Sequence, residues 1–301
     1  MDFLRVTACV CTLLVSTLSY SNTLPQGNEG IVLVHGTKDH REDAEGDYWK
    51  YEFIDALSAP LPTPENRLVV HCDFTPYMWD EAAAGCMVNQ MLDFARDRHI
   101  TSYTVYTHSD GGNVMRWVLS NPAYDPRYIE VLPLIREVIA LAPSSGGTIL
   151  ADQAVDGNFF EEGLGWLLGY QTNSVKQQRV GDMAVYNDEL LYGSPERPNL
   201  VKPFRVVVGT DVTASPFNSA SYCNGYWLNT ALKVTRLYLD DCADGFLDCS
   251  SQAEAGELWF YDWQKTVDGI QLSHNQSRHS CFGLEDILNN DRMSAATGSL
   301  R

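Results

Sequence analysis

Short apolar runs alternate with stretches of helical spacing along most of the chain. Ile31-Val32-Leu33-Val34 has no polar interruption, as expected of a strand buried on both faces. Arg67-Leu68-Val69-Val70-His71 and the runs at 103–106, 137–141 and 204–208 repeat that pattern. Between them, 78–99 places Met87, Met91, Leu92 and Phe94 on one helical stripe. Residues 110–120 read as a helix stopped by Asn121-Pro122. β-branched runs separated by helices predict an α/β fold with a mostly parallel sheet. Gly269-Ile270-Gln271-Leu272-Ser273 reads as the last strand. Residues 145–200 break the alternation and are rich in Gly and aromatics, with Phe159-Phe160, Trp166 and Tyr170 among them. They read as an inserted helical lid within one domain spanning 22–301.

The first 21 residues have a different character. Arg5 precedes an apolar stretch from Val6 to Leu18, and Ser19-Tyr20-Ser21 offers small residues at alternate positions. That is the layout of a cleaved secretory signal peptide, with cleavage after Ser21. The apolar run is too short for a membrane anchor, which needs about 20 residues. Secretion is therefore expected, into the periplasm if the source is Gram-negative.

Composition sharpens this picture in two ways. Lys and Arg number 21 against 39 Asp and Glu, a net charge of −18, and no basic run offers a stripe for phosphates. Nucleic acid is therefore not an expected partner. Of eight cysteines, Cys9 and Cys11 leave with the signal. The remaining Cys72, Cys86, Cys223, Cys242, Cys249 and Cys281 are even in number, which in an exported chain predicts disulfides. Closeness along the chain suggests Cys72–Cys86, Cys223–Cys242 and Cys249–Cys281. No CxxC pair is present and no histidine is spaced beside a cysteine as a zinc ligand would be, so no metal site is expected.

The sharpest chemical signal is Tyr106-Thr107-His108-Ser109-Asp110-Gly111-Gly112, which follows one predicted strand and opens a predicted helix. A nucleophilic serine on a tight strand-to-helix turn needs that context. Small residues after it let the helix approach, and the helix N-terminus adds partial positive charge beside a developing oxyanion. Thr107 stands where such turns usually carry their first glycine. A second signal is His35-Gly36-Thr37 after the first strand. A glycine there lets the backbone come close to a substrate carbonyl. The amides of Thr37 and Asp110 are then the expected oxyanion donors.

These motifs resemble the α/β-hydrolase fold, and within it the secreted bacterial lipases and esterases of the His-Gly-x class. The resemblance runs from Gly30 to about Leu288. It is also carried by Leu141-Ala142-Pro143-Ser144-Ser145-Gly146-Gly147-Thr148, similar to the strand end and turn before a lid. Asp244-Gly245-Phe246-Leu247-Asp248-Cys249-Ser250-Ser251 is similar to the family's catalytic-acid loop. It implies a carboxyl-ester hydrolase with an ester or lipid substrate and no organic cofactor, and leaves contact with lipid–water interfaces open. Some relatives carry a structural calcium, but no loop here has a defined ligand spacing. Asp110 departs from the family, which often has an uncharged residue after the serine. Its carboxylate opposes oxyanion formation unless it points away or a cation such as Arg116 offsets it.

In this fold the triad runs Ser, then Asp or Glu, then His. Asp244 matches the acid loop, with Asp211, Asp240, Asp241 and Asp248 as rivals. Only His274 and His279 follow it; His35, His40, His71, His99 and His108 precede or abut the serine. His274 is preferred because it ends the expected last strand, at the sheet edge where α/β sites lie. Asn275-Gln276-Ser277 fits a glycosylation sequon, but a glycan there would obstruct the loop. The expected site is therefore Ser109, Asp244 and His274, with oxyanion donors Thr37 and Asp110. The same three side chains would serve another acyl bond, such as a thioester, amide or polyester. A non-catalytic binding protein on this fold is the remaining alternative.

Overall fold

Along the first strand, Val32 and Val34 point to one side of the sheet while Ile31 and Leu33 point to the other. That period-two division of an all-apolar run means both faces are covered. The computed structural model describes residues 28–156, 171–261 and 266–296. The expected signal segment 1–21 and the aromatic part of the insertion, 157–170, lie outside the described residues.

Six strands form one parallel sheet: β1 (Glu29–Val34), β3 (Arg67–Val69), β5 (Ser102–His108), β6 (Ile135–Leu141), β7 (Phe204–Val208) and β8 (Glu257–Tyr261), in the order β3-β1-β5-β6-β7-β8. The short strands β2 (Lys38–Asp39) and β4 (Asp73–Phe74) pair antiparallel beside it. The chain steps outward from β1 to β3 and then returns to the opposite side of β1 as β5. The order therefore reverses between β1 and β5, the place where open α/β sheets form their crevice. The two motif-bearing turns both leave the sheet there.

Helices close the two faces. Helix α1 (Tyr51–Ser58) buries Phe53, Ile54 and Leu57 in the core with Ile31 and Leu33, together with Leu284 and Leu288 of the C-terminal helix Leu284–Ala296. Helix α2 (Cys86–Asp97) and helix α3 (Gly111–Ser120) lie on the opposite face, where Met87, Met91, Met115 and Val118 meet Val32, Val34 and Val105. Every residue of α3 is buried. The first turn of the expected 78–99 helix is a π turn, Glu81–Gly85, which runs into α2.

Two expectations need correction. Residues 269–273 are not a strand: Val267–Gly269 is a 3₁₀ turn with Asp268 at φ 57°, and 270–273 is irregular. β8 takes the edge instead, pairing with β7 from Arg205↔Glu257 to Val208↔Tyr261. Positive φ at Asp268 and Gly269 breaks the extended run that Ile270 and Leu272 suggest. The second correction concerns disulfides. Cys72–Cys86 forms as expected, but the others are Cys223–Cys281 and Cys242–Cys249. An isolated antiparallel bridge between Ala243 and Asp248 folds the acid loop back on itself, which brings its own two cysteines together.

Candidate active site

The serine turn is held in a conformation that few residues adopt. Ser109 has φ 55°, in the left-handed region that costs an L-residue roughly 1–2 kcal/mol. Its N–H donates to Leu141 O at 3.1 Å, and its carbonyl accepts from Gly112 N at 3.0 Å. The crowding behind it explains the glycines. A Cβ on Gly111 would sit 2.1 Å from His35 O, and one on Gly36 would sit 2.9 Å from Ser109 Cβ. The His35-Gly36-Thr37 turn therefore lies directly against the serine. Thr107 is accommodated in full burial, although its hydroxyl makes no hydrogen bond.

His35 braces its own turn. Nδ1–H donates to Gly36 O at 2.8 Å, and Nε2 accepts from Cys72 N at 3.3 Å. Burial first, and the neighbouring His40 second, push its pKa down to about 3, so the ring is neutral and both nitrogens have fixed roles.

Three residues far apart in sequence meet in one chain of hydrogen bonds. His274 Nε2 lies 3.1 Å from Ser109 Oγ, and His274 Nδ1 lies 2.8 Å from Asp244 Oδ2. Both distances fall within hydrogen-bond reach, roughly 2.6–3.2 Å. Asp244 is wholly buried, while Ser109 and His274 are each 5% exposed. The other carboxylate oxygen, Oδ1, accepts from the amides of Phe246 at 2.8 Å and Leu247 at 2.7 Å. The His274 amide in turn donates to Asp244 O at 2.9 Å. With the strand before it absent, this backbone bond is what registers His274 against the acid loop. The imidazole is flanked by the rings of His108 and Phe246, with centroids at 4.6 and 4.8 Å.

Two of the rival carboxylates are engaged elsewhere. Asp211 pairs with Lys233 and Arg236, and Asp248 Oδ1 accepts from Asp240 N. His279 is buried with its Nε2 unpaired, and burial followed by Arg278 pushes its pKa down to about 2. Asn275, Gln276 and Ser277 are buried, so the sequon is not on the surface.

Several supporting residues were not apparent from the sequence. Gln178 Nε2 donates to Thr37 Oγ1 at 2.8 Å and so ties the 145–200 segment to the His35-Gly36-Thr37 turn. Ser174 and Gln177 both donate to the Asp110 carboxylate. These three polar residues sit at i, i+3 and i+4, one face of a helix, and that spacing was the available signal. His108 lies inside the serine motif but nothing there marks its contacts, and Tyr48 carried no pattern at all.

The serine, the histidine and Thr37 open onto one cavity of about 350 Å³, also lined by Leu228, Phe246 and Arg278. Among the described residues, no group of three or more His, Cys, Asp or Glu side chains is placed to hold a metal ion. No helix among them is long and apolar enough to cross a membrane.

No family model and no curated sequence matches the chain. Solved structures do. The mature lipase BlEst2 of Bacillus licheniformis superposes with a TM-score of 0.62 at 16% identity, covering 90% of this chain and 92% of that one. This is the α/β-hydrolase fold. Lipase 1 of Pelosinus fermentans matches this chain with a TM-score of 0.55 at 11% identity, over 88% of this chain and 98% of its own. A metagenomic carboxyl esterase matches with a TM-score of 0.54 at 13% identity, over 89% and 77%. At such identities the likeness is one of fold.

Proposed function

We propose that the protein is a serine hydrolase of carboxylic esters, acting through Ser109, His274 and Asp244. The observation that carries this reading is the continuous hydrogen-bonded chain Ser109 Oγ–His274–Asp244, at 3.1 and 2.8 Å, opening on a cavity. Ser109 Oγ attacks the ester carbonyl while His274 Nε2 takes its proton. Asp244 holds the imidazole by Nδ1–H and stabilises its charged form. The Thr37 and Asp110 amides receive the oxyanion, one from each side of the sheet's switch point. His274 then protonates the leaving alcohol, and water resolves the acyl-enzyme by the same route in reverse. No cofactor has a step in this sequence.

That the matching structures are lipases and a carboxyl esterase supports an ester as the bond cleaved, with an ester or lipid as substrate. Leu228 and Phe246 in the cavity wall favour an apolar acyl group. Export by the 1–21 signal accords with three disulfides in the chain. A fluorophosphonate probe and a chain-length series of p-nitrophenyl esters test the proposal. Labelling at Ser109 and turnover of at least one ester are expected. A protein that neither labels nor turns over any ester would be a binding protein on this fold.

A further inference from the structure

Tyr48 and His108 join two parts of the site that the reaction has to keep in register. Gly36 N lies 2.8 Å from Tyr48 Oη, Tyr48 Oη lies 2.6 Å from His108 Nδ1, and His108 Nε2 lies 2.8 Å from His274 O. Donor chemistry and burial together fix the hydrogens in this chain. A carbonyl only accepts, so His108 Nε2 carries a proton. His108 is fully buried beside His274 and Arg278, which holds its pKa well below the usual histidine value, so Nδ1 is bare. Tyr48 O–H therefore donates to Nδ1, and its oxygen accepts from Gly36 N–H. The direction is single: Gly36 to Tyr48, Tyr48 to His108, His108 to the His274 carbonyl.

The same loop grips Tyr48 from its ring face. The guanidinium of Arg278, on the 3₁₀ turn Asn275–Arg278 that follows His274, lies 4.0 Å from the Tyr48 ring centroid. A cation over the ring is attracted to its π face. A chain that begins at the oxyanion turn thus ends on the backbone of His274, and the histidine loop closes back on its middle member. Both ring nitrogens of His108 are occupied, so it has no free nitrogen to receive a proton from Ser109.

We propose that Tyr48 and His108 are positioning residues that set the oxyanion turn and the His274 backbone in register across the Ser109 hydroxyl. This rests on the hydrolase reading of Ser109, His274 and Asp244. The consequence is specific to turnover. Loosening the chain displaces the Gly36-Thr37 turn and His274 relative to each other, which matters when charge develops and little when the ester first binds.

The test uses Tyr48→Phe, His108→Ala and His108→Gln in the full-length protein. Turnover of p-nitrophenyl butyrate is normalised to sites labelled by fluorophosphonate. Tyr48→Phe should lower kcat by about tenfold, the rate equivalent of one net hydrogen bond, with KM within about twofold. His108→Ala should lose about a hundredfold, and His108→Gln, which keeps a donor and an acceptor, should recover about tenfold of that. A Tyr48→Phe protein with wild-type kcat per labelled site would overturn the proposal. So would a fall in the labelled fraction alone, because that reports folding, or a His108→Gln no better than the alanine variant. If the wild type itself fails to label, the hydrolase reading falls and this one with it. Wild-type labelling with an unaltered Tyr48→Phe kcat removes only the coupling.

Discussion

Ser174 Oγ donates to Asp110 Oδ2 at 2.7 Å, which turns the one carboxylate next to Ser109 away from the cleft and into the protein. Gln177 Nε2 donates to the same oxygen at 2.9 Å, and Asn113 Nδ2 donates to Oδ1 at 3.1 Å. The carboxylate is wholly buried and satisfied by neutral donors. Arg116, the cation that the sequence offered as an offset, is directed instead to Asn187 Oδ1 and Tyr192 O. The Asp110 carboxylate is thus bonded away from the place where the proposed oxyanion would form. Asp110 also fastens the helix Asn173–Gln177 of the insertion to the serine turn.

This geometry predicts a pH effect on stability. Burial is the largest influence on Asp110 and raises its pKa above the ordinary carboxylate range, outweighing the hydrogen bonds that lower it. Between the unfolded value near 4 and the raised folded value, the native state holds more protons than the unfolded one. Stability from this group is therefore full below about pH 4 and declines as pH rises through that window. Asp110→Asn removes the effect. Melting temperatures of the two proteins from pH 4 to 8 should show the wild type losing ground to the variant as pH rises. Parallel curves would refute the assignment.

Ser109 should respond differently to alanine and glycine. Both lose the hydroxyl, so ester turnover should fall by several orders of magnitude in each. Only glycine relieves the φ of 55°. Ser109→Gly is expected to exceed Ser109→Ala in unfolding free energy by about 1 kcal/mol, read by urea denaturation. Equal stabilities would mean the turn stores no strain, and near-wild-type activity in either variant would remove the serine mechanism.

The described chain should contain no free thiol, since all six of its cysteines are paired. The bond Cys223–Cys281 closes 58 residues, and loop-closure entropy alone gives it about 4 kcal/mol. Cys242–Cys249 closes seven and gives about 2 kcal/mol on the same basis. Paired serine replacements should follow that order in unfolding free energy. Cys223 O accepts from Gln276 Nε2 on the turn that follows His274, so Cys223→Ser with Cys281→Ser should also reduce turnover before the protein unfolds. A larger stability loss from opening Cys242–Cys249 would reverse the ranking.

How much of this was legible in the sequence depends on how local each signal is. Strands β1, β5, β6 and β7 and helix α3 follow from runs whose periodicity is set within a few residues. Ser109 follows from one turn, and Asp244 from one loop. His274 was reached by expecting a strand that is not there; its position comes from the Asp244 O contact and a 3₁₀ turn, both set by packing. Cys72–Cys86 follows from the sequence, but pairing the other four cysteines in chain order passes over Cys242–Cys249, whose separation of 7 is the shortest among the described cysteines. Tyr48 acts through a partner 60 residues away, and no period or spacing reports such a pair.

The two late histidines should separate cleanly by experiment. His274 reaches both Ser109 Oγ and Asp244 Oδ2, so His274→Ala should lose nearly all turnover. His279 touches neither; its Nε2 is buried without a partner, and its pKa is depressed to about 2 by burial and then by Arg278. His279→Asn should keep most activity, and its signature should appear in acid stability instead. A histidine whose folded pKa is depressed contributes stability that is present above the unfolded value near 6.5 and is lost as pH falls toward the folded one. In that window the unfolded chain binds one more proton through this group. Unfolding free energy then drops by up to about 1.4 kcal/mol per pH unit on its account. His35 and His108, also buried and depressed, add slopes of the same sign. Urea unfolding at pH 5, 6 and 7 should therefore show a steep acid loss in the wild type, shallower by one proton in His279→Asn. Unchanged slope would place His279 in water, and lost turnover in His279→Asn with retained turnover in His274→Ala would move the base to His279.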